Sequence, residues 1–251
     1  MFKTLSRWVF EYGAVLPLFI LAIIAVGIPL GVAGYVYDCL TAHIAGHPLW
    51  QQIPVKGMSL GACYYVFGFT LILWVPFLSV IVRARLKPWR GPAVSVGALP
   101  WYLSATLTLL TRYAFLEFIT PTPYNILFYR LMGMKVGKGV QINSSAISDP
   151  SMIEIGDYAT IGGTANVMAH YAQGGYLIIA PVKIGAGATV GLRATLMGGV
   201  ELGEKAKVLA NSFVLPNSKI PAGETWGGVP AKKFDLREFR HNAEAPTQAD
   251  A

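Results

Sequence analysis

Two stretches near the start of the chain run without a charge for longer than a bilayer requires. Glu11 and Asp38 enclose 26 uncharged residues, including AVLPLFILAIIAVGIPLGVAGYVY, and Lys56 and Arg83 enclose another 26, centred on LGACYYVFGFTLILWVPFLSVIV. About 20 apolar residues suffice for a transmembrane helix, so the pattern predicts spans over about 13–37 and 60–82. A cleaved signal peptide is the alternative for the first run, but the run is long for one and no A-x-A site follows it. From Pro100 to Thr120 the pattern changes, because Ser104, Thr108, Thr111 and Arg112 recur on one helical face. With Trp101, Tyr102 and Phe115 as apolar anchors, the segment over about 100–120 reads as a helix lying in the membrane interface, the alternative being a third span that would put the rest of the chain outside the cell. A second such helix is expected over about 123–133.

Beyond residue 135 the period becomes six. A large apolar residue stands at Ile178, Ile184, Val190, Leu196, Leu202, Val208, Val214, Ile220 and Trp226. Four residues after most of these comes a small or compact one, at Val182, Ala188, Ala194, Val200, Ala206, Ser212 and Ser218. A looser copy precedes the array at Val136, Ile142, Ile155, Ile161 and Val167, broken by an extra residue near Pro150 and an insertion at 171–177. A period of six is neither a helix nor a two-sided strand. It predicts a chain winding in triangular turns of three hexads, each short strand stacking its aliphatic side chain on the turns above and below, with Gly or Asn relaxing the corners. The expected division is a membrane region over 1–135, an all-β solenoid of about five coils over 136–233, and a polar tail over 234–251.

Composition agrees with a lipid-bound region, since 54% of the 251 residues are hydrophobic and 13% charged, against about 25% charged in ordinary soluble domains. Five of the seven net positive charges fall in the first 100 residues. Lys3 and Arg7 precede the first span, Arg83, Arg85, Lys87 and Arg90 follow the second, and only Lys56 lies between. The positive-inside rule then predicts a multi-pass protein of the cell membrane, with both flanks and the solenoid on the cytoplasmic face. The remainder has no basic stripe interleaved with aromatics, which argues against nucleic acid as a partner. Cys39 and Cys63 are too few for a disulfide framework or a four-ligand zinc site.

The repeats, the terminal TWGGVPAKK, and the linker TPYNILFYRLMGMKVGKGVQI followed by SDPSMIEIGDYATIGG carry a resemblance. The chain is similar to the hexapeptide-repeat acyltransferases, which form a left-handed parallel β-helix. Within them it resembles a membrane-attached subgroup whose members stand alone or end poly-amino-acid synthetases. Left-handed winding follows from the resemblance, since ordinary crossovers are right-handed. The resemblance implies acetyl-CoA as co-substrate, a homotrimer with sites between neighbouring β-helices, and a catalytic histidine.

His170, in NVMAHYAQGG, is the one histidine in the repeats. A lone histidine is more often structural, but its place beside a Gly-rich insertion and the resemblance favour a general base. It would take a proton from an acceptor hydroxyl or amine; a backbone carbonyl or Asn166 would hold the other ring nitrogen. By resemblance Gly199, Ala210 and Asn211 line the pantetheine arm, and Gly228 with Lys232 meets the nucleotide end, each of these equally readable as a tight corner or a solvated charge. No metal is expected: zinc carbonic anhydrases of this fold need three histidines in the coils, and Gly46 and Pro48 interrupt any helix aligning His43 with His47. Two functions emerge, a membrane-anchored acetyltransferase acting on a membrane-associated sugar, lipid or peptide, and a non-catalytic trimeric scaffold at the membrane. Coenzyme A binding separates them.

Overall fold

The computed structural model describes residues 15–234 together with Gly13; Lys3, Arg7 and residues 235–251 lie outside the described residues. Helices α1 (Val15–Thr41) and α2 (Leu49–Ile81) pack on each other, with the Trp74 indole donating to the Ile24 carbonyl at 3.2 Å. Both are long and apolar enough to cross a membrane. Large apolar side chains such as Phe19, Ile23, Leu60 and Phe77 point outward from them. Helix α2 starts well before the expected residue 60. Pro48, in extended conformation, sets its N-terminus, and Lys56 is absorbed by donating to Gln52 one turn earlier at 2.9 Å.

Helix α3 (Leu99–Thr111) runs on through a π-turn at Arg112–Leu116 and a last turn at Glu117–Ile119. Its polar stripe is the buried face: Ser104, Thr108 and Thr111 turn inward, while Leu99, Leu109, Tyr113 and Phe118 are exposed. This reverses the orientation expected of an interfacial helix, whose polar face meets water. Within the stripe Thr108 and Arg112 line a chamber in the protein, and the buried Thr111 hydroxyl donates to the Leu107 carbonyl at 2.9 Å. Helix α4 (Pro123–Leu131) buries Asn125, Phe128 and Tyr129. Asn125 Nδ2 donates to the Ile142 carbonyl and the Tyr129 hydroxyl donates to that of Ser145, both at 2.9 Å, so α4 caps the first turn of the solenoid. Burial pushes the Tyr129 phenol well above its ordinary pKa, keeping it a donor.

The solenoid consists of three parallel sheets. The first stacks Lys135–Val136, Ile153–Ile155, Val182–Ile184, Glu201–Leu202 and Lys219–Ile220. The second stacks Gln141–Ile142, Thr160–Ile161, Thr189–Val190, Lys207–Val208 and Thr225–Gly227, edged by the antiparallel Lys232–Lys233. The third stacks Ile147–Ser148, Asn166–Met168, Thr195–Leu196 and Phe213–Val214. Registers match the hexads: Val136, Ile155, Ile184, Leu202 and Ile220 pair in sequence, as do Ile142, Ile161, Val190, Val208 and Trp226. This apolar column joins α1 to α4 in one core.

Within the repeats one expectation differs from the structure. Ile178 lies on a hairpin outside the coils and is only half-buried, while its neighbours Leu177 and Ile179 are buried. Corner glycines serve a further purpose beyond the left-handed backbone expected of them, which is close stacking. A Cβ on Gly185, Gly191 or Gly203 would fall 2.6, 2.5 or 2.4 Å from the backbone of the next turn. The left-handed corner positions are shared between glycines such as Gly139, Gly187, Gly199 and Gly223, the asparagines Asn211 and Asn217, and ordinary residues such as Thr164, Arg193 and Lys205.

Candidate functional site

The insertion at 171–177 forms a hairpin of His170–Gln173 and Tyr176–Ile179, turned by Gly174 and Gly175 at φ 58° and 82°. Two consecutive positive φ values are what a two-residue hairpin turn needs. A third strand, Trp89–Pro92, comes from the segment after α2 and pairs antiparallel with Tyr176–Ile179. His170 thus opens one strand of a hairpin whose other strand is clasped by the segment after α2.

The break in the hexads near Pro150 has a chemical result. Ile147 takes the inward place in the third sheet, opposite Val167, only five residues after Ile142. A 3-10 turn at Pro150–Met152 absorbs the surplus, and Asp149 before it adopts a left-handed backbone at φ 61°. Its side chain is buried, and its Oδ2 accepts the Ala169 amide at 3.2 Å and lies 2.5 Å from His170 Nδ1. With a carboxylate as acceptor, Nδ1 is the protonated nitrogen, and a neutral ring presents a bare Nε2. The orienting partner is therefore Asp149, not Asn166 or a backbone carbonyl. A carboxylate there also stabilises the imidazolium formed when Nε2 takes a proton.

His170 lines a chamber of about 320 Å³ between α3 and the third sheet. The α3 wall supplies Trp101, Ala105, Thr108, Leu109 and Arg112; the coil wall supplies Ile147, Ser148, Asp149, Asn166, Met168 and His170. The Trp101 ring meets the imidazole edge-on, with centroids 5.0 Å apart. Trp101, expected as a membrane anchor, is thus a neighbour of the candidate base. Asp149, Thr108 and Arg112 were not expected in the site, although the disturbed period at Pro150 and the unusual polar stripe marked their positions.

The expected coenzyme residues fall at two corners. Gly198 stacks on the backbone at His170, where a Cβ on it would lie 3.1 Å from the His170 amide nitrogen, whereas a Cβ on Gly199 would strike Asn217 Oδ1 at 2.1 Å. Asn217 in turn donates to the Tyr171 hydroxyl at 2.9 Å. Ala210, Asn211 and Gly228 are exposed at another corner, between the second and third sheets. Lys232 lies beside them, exposed and without an ion pair among the described residues, whereas Lys233 pairs with Glu224 at 2.6 Å. That bond holds the Glu224 carboxyl below its usual range. Gly199 therefore falls at the same corner of the triangle as His170, and the other four residues fall at a different one. Among the described residues no three His, Cys, Asp or Glu side chains gather as metal ligands.

No family model matches the chain. It is 24% identical over 194 residues to delta-poly-L-ornithine synthetase of Acinetobacter baumannii, covering 74% of the chain and 14% of that protein. The chain thus spans about one seventh of the synthetase it matches. It is 28% identical over 166 residues to YvoF of Bacillus subtilis, whose acetyltransferase name is provisional, covering 61% of the chain and 92% of that protein. Among solved structures it is similar to a hexapeptide-repeat-containing acetyltransferase of Vibrio cholerae, with 25% identity, a TM-score of 0.38, and coverage of 41% of the chain and 62% of that protein. The resemblance drawn from the repeats and linkers is to proteins of this kind.

Proposed function

We propose that the chain is a membrane-anchored, acetyl-CoA-dependent acetyltransferase built on a left-handed β-helix, with His170 as general base. The observation that carries this reading is the buried Asp149 carboxylate on His170 Nδ1, which leaves Nε2 free on a residue that lines a chamber. A structural histidine needs no chamber at its free nitrogen. In the reaction, acetyl-CoA supplies an acyl group activated as a thioester. Nε2 takes the proton of the acceptor hydroxyl or amine as that atom bonds to the acyl carbon, and the imidazolium returns the proton to the departing thiolate. The acceptor in this reading is a membrane-associated sugar, lipid or peptide, of the kind that a site tied to two apolar helices at the cytoplasmic face of a bilayer would meet.

The test is calorimetric titration of coenzyme A into the full chain in detergent, paired with transfer of labelled acetyl groups to membranes from cells lacking the protein. Binding and His170-dependent labelling are expected. Failure to bind coenzyme A would leave the trimeric scaffold.

A further inference from the structure

Six buried side-chain polar atoms have no hydrogen-bond partner among the described residues, and four of them line the chamber beside His170: Trp101 Nε1, Thr108 Oγ1, Arg112 Nε and Asp149 Oδ1. Thr108 is 3% exposed and Asp149 2%. Buried polar groups are normally paired, so such orphans concentrated around one space mark a ligand that pairs them. The α3 side contributes an indole donor, a hydroxyl and a guanidinium. Arg112 forms no ion pair among the described residues and touches only the Tyr113 ring, at 5.0 Å, as a charged contact. A planar cation with adjacent donors in a walled space fits an oxyanion group.

We infer that this chamber receives the acceptor and selects one bearing a carboxylate or phosphate, held by Arg112, Thr108 and Trp101 while the acceptor's hydroxyl or amine reaches His170. This rests on the acetyltransferase reading for the role of His170, but the anion preference itself does not. Asp149 Oδ1 accepts a hydrogen bond from a donor on the nucleophilic end. Ala105, Leu109, Ile147 and Met168 border the space and suit the short carbon link between the two ends. The oxyanion belongs either to a lipid headgroup or to a free small molecule, and both present the same chemistry to Arg112.

The experiment is thermal unfolding of the full chain in a non-ionic detergent with O-phosphoethanolamine, β-alanine or ethanolamine. At saturation the two anionic probes should raise Tm by roughly 2–4 °C and ethanolamine by clearly less. Arg112→Gln should weaken binding of the anionic probes about tenfold or more and erase the discrimination. Thr108→Val is the second variant, since it removes an unpaired hydroxyl at nearly constant shape. It should unfold no earlier than wild type without probe, yet lose part of the shift. In phosphatidylethanolamine nanodiscs, loss of the soluble probes' shift identifies the headgroup as occupant, and its persistence identifies a free small molecule. Equal shifts from all three probes, or full discrimination kept in Arg112→Gln, overturns the inference. Coenzyme A titration of the same samples separates the failures: bound coenzyme without anion discrimination refutes this site alone, and discrimination without coenzyme binding refutes the acetyltransferase.

Discussion

His170 was legible in the sequence because it stands alone in the repeats, and Asp149 was not, because the two are 21 positions apart and meet only when one turn stacks on another. The mark Asp149 left was indirect, a hexad array that slips near Pro150. Chemistry at this scale fixes the expected kinetics. His170→Ala should lower acetyl transfer by roughly 10²- to 10⁴-fold with coenzyme A affinity nearly unchanged, because the imidazole acts on the acceptor. Asp149→Asn keeps an oxygen near Nδ1 but removes the charge that stabilises the imidazolium, so it should cost roughly 10²-fold or more. The double variant should be little worse than His170→Ala, since the carboxylate acts only through the ring. Single-turnover rates of the three proteins decide this, and full additivity of the two losses would contradict the pairing.

At the level of elements, the two long apolar runs and the six-residue period were readable because each repeats one simple demand many times. The orientation of α3 was not, since a row of Ser and Thr looks the same whether it faces bulk water or a polar chamber. What turns that row inward is packing against α2. Phe115, fully buried in the π-turn, lies so close to Gly68 that a Cβ there would sit 2.1 Å from its ring, and the Tyr64 hydroxyl donates to the Ala114 carbonyl at 3.1 Å. Gly68→Ala must therefore push the π-turn away, and with it Arg112 and Thr108. Overpacking of this kind costs about 1–3 kcal/mol. Lower thermal stability together with a larger loss of transfer than of coenzyme A binding is expected, measured by unfolding and titration of the same preparation. An unaltered Tm would mean that α2 does not position α3.

For the whole molecule, the proposed anchoring and assembly each have a direct test. If the two long helices span the membrane with both flanks inside, a cysteine at Ala45 in a variant lacking Cys39 and Cys63 should react with an impermeant thiol reagent on intact cells, and one at Ala245, outside the described residues, should not. Labelling at Ala245 would sink that topology. Assembly has its own signature, because His170 and Gly199 share one corner of the triangle while Ala210, Asn211, Gly228 and Lys232 sit at another. In the homotrimer that the resemblance implies, a coenzyme arm touching both sets would lie between two copies, each copy lending its histidine corner to one neighbour and its second corner to the other. His170→Ala and Asn211→Trp, each inactive alone, should then complement when coexpressed. With random mixing, a site needs an intact histidine from one copy and an intact second corner from the next, so about one quarter of the sites should recover. Transfer assays on mixed particles, with mass measured in detergent, test both halves of the claim: a single-copy site predicts no recovery at any mixing ratio.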